Sequence, residues 1–151
     1  MPEPVRDLLE MLQFCTPVLH DDIYVYARLP QGRQTEDLAA FAVIREDEGV
    51  TVILEKNRAV LAGLEIVLQT ARITLTVYSA LDGVGLTAAF AAALAEQGIG
   101  CNVVAAIHHD HIFVPLKDAQ RALTALLALQ NKAETHGCGK LPPHTEGAPT
   151  T

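Results

Sequence analysis

An internal repeat is the feature that most constrains how this chain can fold. The segment 23–27 falls on 73–77 at an offset of fifty positions, and the segment 41–64 falls on 102–126 at an offset near sixty-one. The second copy therefore holds about eleven more residues than the first. We predict that these extra residues form a helix, which the first copy replaces with a loop at 31–39.

Hydrophobic periodicity predicts the elements of copy one. Residues 23–29 alternate in character, which is typical of a strand with two unlike faces. β-rich runs at 41–46 and 50–55 flank an Asp-Glu-Gly turn and predict a hairpin. Asn57 is the predicted N-cap of a helix that extends to residue 64, and 65–70 is the predicted closing strand.

Copy two has the same predicted order with one more helix. Its predicted elements are a strand at 73–78, a helix at 86–97, a hairpin formed by 99–107 and 112–116, and a helix that begins at Asp118. Gly98 is the predicted left-handed residue that ends the first of these helices.

The duplicated order predicts an α+β fold of two ferredoxin-like βαββαβ subdomains. Each would have an antiparallel sheet with helices on one face, and the first helix of copy one would be degenerate. The predicted boundaries are 1–70 and 71–130, followed by a tail at 131–151. The tail is rich in Pro, Gly and Thr, so we predict that it is disordered, because it cannot bury enough apolar surface to offset the cost of ordering.

Copy two lacks an obvious last strand, and this would leave an open sheet edge. Copy one, the N-terminal segment or a second chain could cover that edge. The N-terminal segment is itself predicted to be a short amphipathic helix before Pro17, with Val5, Leu8 and Leu12 on one face. Of the three possibilities, the sequence favours a homodimer.

Composition excludes several functional classes. The chain has 151 residues with 11 Lys and Arg against 18 Asp and Glu, and the net charge of −7 argues against nucleic-acid binding. No apolar run reaches the roughly 20 residues that span a bilayer. Three cysteines without metal-type spacing indicate a reducing, cytoplasmic location.

Three motifs of copy two resemble a known family. They are Val-Gly-Leu-Thr-Ala-Ala-Phe at 84–90, the strand at 98–105 and His-Asp-His-Ile-Phe-Val-Pro at 109–115. With the Tyr-Val-Tyr strand of copy one, they resemble the small bacterial proteins with tandem ACT domains, which are similar to the regulatory ACT domains of aspartate kinases. The resemblance implies a regulatory protein without catalytic activity or cofactor, which binds a small molecule, most often an amino acid.

The resemblance also implies a ligand site where the first strand of copy two turns into its first helix. Backbone N–H groups at a helix start favour a carboxylate, and glycines let a ligand approach. Alternatively, the glycines only permit the turn and Asp82 only caps the helix. The predicted ligand contacts are Asp82, Gly83, Val84, Gly85, Leu86, Thr87, Cys101 and Asn102. Copy one, without this helix, is predicted to have no equivalent pocket.

Two other functions stay open at this point. The chain could be a pocketless dimerisation module, or a metal-dependent enzyme that uses the cluster His108, His109, Asp110 and His111. Adjacent strand residues point to opposite faces of a sheet, and a tight turn would move these side chains still further apart. We therefore predict that no metal binds there.

Overall fold

The computed structural model describes residues 3–137, and a single antiparallel sheet of six strands dominates it. The elements in chain order are α1 (Leu8–Phe14), β1 (Pro17–Leu29), β2 (Ala42–Glu46), β3 (Gly49–Glu55), α2 (Lys56–Leu61), β4 (Glu65–Leu75), α3 (Leu86–Glu96), β5 (Asn102–Ala105), β6 (Asp110–Pro115), a 3₁₀ turn (Leu116–Asp118) and α4 (Ala119–Gly137). The predicted α+β class and the helix unique to copy two, α3, are confirmed.

Both copies share their two longest strands. The sheet order is β2-β3-β1-β4-β6-β5. The later part of β1 pairs with β3 and β4 in copy one, while the later part of β4 pairs with β6 in copy two. The predicted strands at 65–70 and 73–78 thus belong to one continuous strand, β4, which ends at Leu75 rather than at residue 78. A boundary at 70/71 falls inside that strand, so the two subdomains are joined by backbone pairing rather than by a linker.

The last strand of copy two comes from the start of the chain. Pro17 pairs with Leu75 and Leu19 pairs with Ile73, and an irregularity in β1 between Leu19 and Ile23 separates this short stretch from the part used by copy one. The open edge that favoured a homodimer is therefore closed within one chain. Strand prediction missed residues 17–22 because they include a Pro, a His and two Asp, which are poor strand formers.

The helices lie on one face of the sheet and cover two apolar cores. Copy two buries the predicted apolar positions of α3, Leu86, Phe90 and Leu94, against Ile73 and Ile112 of the sheet. Copy one has a smaller core in which buried Leu38 belongs to the loop that stands in for the missing helix, together with Val25, Val52, Leu54 and Ala59.

Two helix boundaries differ from prediction and one agrees with it. The N-cap of α2 is Glu55, so Asn57 lies inside the helix rather than before it. Gly98 has φ +67° directly after α3, as predicted. The last helix continues to Gly137, so 131–137 is helical although composition predicts a tail there. The remainder of the predicted tail, 138–151, lies outside the described residues.

The opposite face of the sheet is concave and carries an aromatic cluster. Buried Tyr24, Ile53 and Phe113 form its centre, and Phe41 packs against them. Phe41 directly precedes β2 and Phe113 lies on β6, four strands along, which in a flat sheet would separate them by about 19 Å. Their ring centroids are 5.3 Å apart. The sheet therefore curls toward this face, and the loop of copy one reaches the sheet of copy two.

Candidate functional site

The predicted ligand turn follows β4 and is bordered by the N-terminal segment. Val5 forms a parallel bridge with Ser79, with backbone hydrogen bonds of 2.9 Å on both sides. Arg6 donates to the Asp82 carboxylate at 2.6 Å, and this interaction holds the pKa of Asp82 below its usual value. Both side chains are exposed. Asp82 is therefore bound by the start of the chain and does not cap α3, whose N-cap is Gly85.

The two glycines of the turn are required by packing and by backbone geometry. Gly85 has φ +101°, and a Cβ there would lie 2.9 Å from Cδ2 of Leu8. A Cβ on Gly83 would lie 2.9 Å from the carbonyl oxygen of Ala80 and close to Met11. On the side of α1 the turn is thus filled by protein, which supports the interpretation that the glycines serve the turn.

The other side of the turn is open. Val84 is 83% exposed and Thr87 is also exposed, while Leu86 points into the core. Among residues 3–137, no side chain caps the first turn of α3, and that turn contains no acidic residue. The described side chains therefore leave the first N–H groups of this 11-residue helix uncapped.

Cys101 and Asn102 lie at the far end of β5 from this turn. Asn102 pairs with Phe113, which in turn pairs with Arg72, whereas the turn follows the opposite end of β4 at Leu75. Three residues of strand correspond to roughly 10 Å. Within one chain, the structure therefore does not bring Asn102 beside the turn. Partial burial raises the pKa of the Cys101 thiol, which disfavours the reactive thiolate.

Copy one has a depression at the equivalent strand end, while the absence from copy one of a ligand pocket like that of copy two stays a prediction. The volume of this depression is about 510 Å³, and it lies between the loop that follows β1 and the β2–β3 turn. Arg33 makes two hydrogen bonds to the Asp37 carboxylate, at 3.0 and 2.7 Å, and so stiffens this loop. The depression exists because a loop, rather than a packed helix, follows β1.

His108, His109, Asp110 and His111, where no metal site is predicted, differ in their surroundings and burial. Asp110 is buried and accepts a hydrogen bond from Ser79, although burial still raises the pKa of its carboxyl. His111 lies on the concave face, where its Nδ1 meets Thr74 Oγ1 at 3.1 Å, and His108 is exposed. Within 3–137, no three His, Cys, Asp or Glu side chains are arranged to hold a metal ion.

The concave face also carries a group of polar and aromatic side chains that the sequence did not predict. We call it the Arg72 cluster: Arg72, Thr74, His20, His111, Tyr24 and Phe41. The Arg72 guanidinium lies 4.7 Å from the ring centroid of Tyr24 and 5.3 Å from that of Phe41. The only local signal was that Arg72 and Thr74 alternate with the apolar residues Ala71, Ile73 and Leu75.

None of the described helices combines the length and apolar character needed to cross a membrane. Two sequence profiles match the chain, and both describe the ACT domain. The first covers residues 3–70 and the second covers 67–128. Their overlap falls in β4, the strand that both copies use. No curated protein sequence matches the chain.

Solved structures with this fold include one with substantial sequence similarity. A Vibrio cholerae protein of unknown function, described as a possible transport protein, shares 45% identity and has a TM-score of 0.73, with 82% of this chain and 95% of that one covered. A protein of Agrobacterium tumefaciens shares 18% identity with a TM-score of 0.65, over 77% of this chain and 89% of its own. The ligand-free regulatory subunit of aspartate kinase from Thermus thermophilus shares 14% identity with a TM-score of 0.56, over 75% and 95%. The last two matches concern the fold alone.

Proposed function

This chain belongs to the ACT-domain family, and from that we propose that it is a cytoplasmic, non-catalytic regulator that binds an amino acid. ACT domains are regulatory modules that typically bind small molecules. The observation that carries the proposal is the start of α3, where Gly85 is the N-cap and no described side chain satisfies the first N–H groups. An α-carboxylate is an anion of the size and charge that such a helix start binds.

The predicted contacts divide into two sets under this proposal. The turn 82–87 supplies backbone donors for the carboxylate, and the Asp82 carboxylate, which pairs with Arg6, borders the same turn. Asn102 and Cys101 lie at the other end of β5, so they meet such a ligand only from a second copy of the chain. The proposed site is therefore completed in a homodimer, in which the edge strand β5 of one protomer faces the turn of its partner.

Thermal-shift and calorimetric screening of the twenty common amino acids at millimolar concentration tests this function. A ligand present at a hundred times its Kd stabilises the folded chain by about 2.7 kcal/mol. The Val84→Glu variant places a competing carboxylate on the open side of the turn, so it should lose binding. Val60→Glu is the matched control, because Val60 is an exposed valine on α2 of copy one. If no amino acid stabilises the wild type, or both variants bind equally, the proposed site is wrong.

One observation favours a second function, a pocketless dimerisation module. Leu8 and Met11 of α1 already pack against the glycine turn, and Arg6 already donates a hydrogen bond to the Asp82 carboxylate. This function predicts a dimer by light scattering that no amino acid changes. The amino-acid function predicts that the ligand strengthens the dimer and that Asn102→Ala weakens ligand binding, with Asn57→Ala as the matched control on exposed α2.

A further inference from the structure

The arginines of this chain differ in how their charge is balanced. Five of the seven make an ion pair with an Asp or Glu, and the two described arginines without one are Arg45 and Arg72. Arg45 is exposed to water, whereas Arg72 is partly buried on the concave face. A guanidinium removed from water is costly unless an anion or hydrogen-bond acceptors compensate it. Its Nε is buried and has no hydrogen-bond partner among the described residues.

The partners of Arg72 compensate its charge only in part. The π faces of Tyr24 and Phe41 attract the cation, and its Nη2 lies 3.3 Å from Nδ1 of His20. Because arginine can only donate, His20 Nδ1 accepts, and the proton of this neutral ring is on Nε2. Nε2 then donates to Thr74 Oγ1 at 2.8 Å, which leaves the Thr74 hydroxyl to donate to Nδ1 of His111 at 3.1 Å.

This chain of hydrogen bonds requires both histidines to be neutral. Burial and the nearby Arg72 lower the pKa of His20, against a smaller opposing effect of Asp22 and Asp21. Burial, Arg72, His109 and His20 together lower the pKa of His111 to about 4. The concave face thus gathers several basic groups around Arg72, and no described carboxylate forms an ion pair with its guanidinium.

We propose that the Arg72 cluster is an anion-binding site that takes a small oxyanion, a carboxylate or a phosphate group, and takes up a proton with it. Arg72 supplies the permanent positive charge and the unsatisfied Nε–H. The hydroxyl of Thr74 and the rings of His20 and His111 lie beside it. A bound anion replaces the missing counter-ion and stabilises the charged form of either histidine, so binding strengthens as the pH falls. This site is separate from the amino-acid site proposed at the start of α3, and either can fail alone.

Side-chain NMR of the full chain tests the site with two probes of constant charge near neutral pH, sulfate and acetate. The Nε–H resonance of Arg72, identified by its loss in Arg72→Lys, should shift saturably on titration at constant ionic strength set with NaCl. Affinity should rise about tenfold between pH 7.5 and 5.5, because one proton is taken up over part of that range. Tighter sulfate binding assigns the site to phosphate-type ligands, and tighter acetate binding assigns it to carboxylates.

Two variants separate the site from general ionic effects. Arg72→Gln should abolish the saturable shift of the His111 ring, whereas Arg28→Gln, a change at an exposed arginine of β1, should retain it. Should Arg72→Gln fail to fold, His111→Gln replaces it, and it should remove most of the pH dependence. Shifts that stay linear, that NaCl reproduces, that persist in Arg72→Gln or that do not change with pH overturn the proposal.

Discussion

The two copies build the same four-stranded unit with different means of covering it. Copy two covers its sheet with α3 and α4, whereas copy one has only the six residues of α2 and a loop. That loop inserts Leu38 into the core and then places Phe41 against Phe113 of copy two. One buried apolar residue of a loop, Leu38, thus covers part of the sheet that a helix covers in copy two. Phe41 of the degenerate copy also packs on the concave face against copy two.

The largest expected effect comes from the core residues that perform the same task in each copy. Phe90, on α3, is 1% exposed, and Leu38, on the loop, is 2% exposed. We expect Phe90→Ala to lower the free energy of unfolding by about 3–5 kcal/mol and Leu38→Ala by about 2–4 kcal/mol, through lost burial and the cavities left behind. Urea denaturation measures both. A loss of stability below about 1 kcal/mol for Leu38→Ala would show that the loop does not replace the helix in covering the core.

One glycine in each copy allows a second comparison of the two copies. Gly85 in copy two and Gly32 in copy one both have positive φ, at +101° and +79°, but only Gly85 has a close neighbour, Leu8. We expect Gly85→Ala to cost about 2–3 kcal/mol, from backbone strain and the contact with Leu8, and Gly32→Ala about 1 kcal/mol from strain alone. Equal losses of stability in chemical denaturation would mean that α1 does not constrain the turn.

The concave face should make the stability of the fold depend on pH. The pKa of His111 is lowered to about 4 in the folded chain, against about 6.5 when unfolded, so the unfolded state binds more protons between these values. Stability is therefore fully present above pH 6.5 and declines as the pH falls toward 4. Because the ring is partly exposed, we expect a decline of about 1–2 kcal/mol, and His111→Gln should reduce it in denaturation curves at pH 7 and 4.5. His108→Gln, at an exposed histidine, should leave the decline unchanged.

The smallest expected effect comes from one exposed ion pair in each copy. Arg6–Asp82 borders the turn of copy two and Arg33–Asp37 lies in the loop of copy one, each at 2.6–2.7 Å. The arginines hold the pKa of Asp82 and of Asp37 below the usual value, so the stabilisation is present at neutral pH and is lost as the pH falls through the folded pKa. We expect only slight decreases in Tm for Asp82→Asn and Asp37→Asn at pH 7. A large drop for Asp82→Asn alone would mean that this pair anchors the N-terminal segment.

Local patterns predicted much of the fold and little of the site. The strand alternation at 23–29 and the apolar stripe of α3 gave correct element types, because each depends on neighbours a few residues away. The position of Asn102 relative to the turn was not predictable in this way, because it depends on the register between β4, β6 and β5. The Arg72 cluster was missed for a similar reason, since its members come from positions 20 to 111 and meet through strand pairing and, for Phe41, through the curl of the sheet.

The duplicated α+β plan, the extra helix of copy two and the negative net charge follow from the amino-acid sequence alone. Three features depend on long-range pairing and packing: residues 17–19 complete copy two, the two middle strands are shared, and Phe41 reaches Phe113. The physical reason is range: side-chain periodicity records which face of an element is apolar, whereas strand partners and sheet curvature depend on backbone pairing between distant segments.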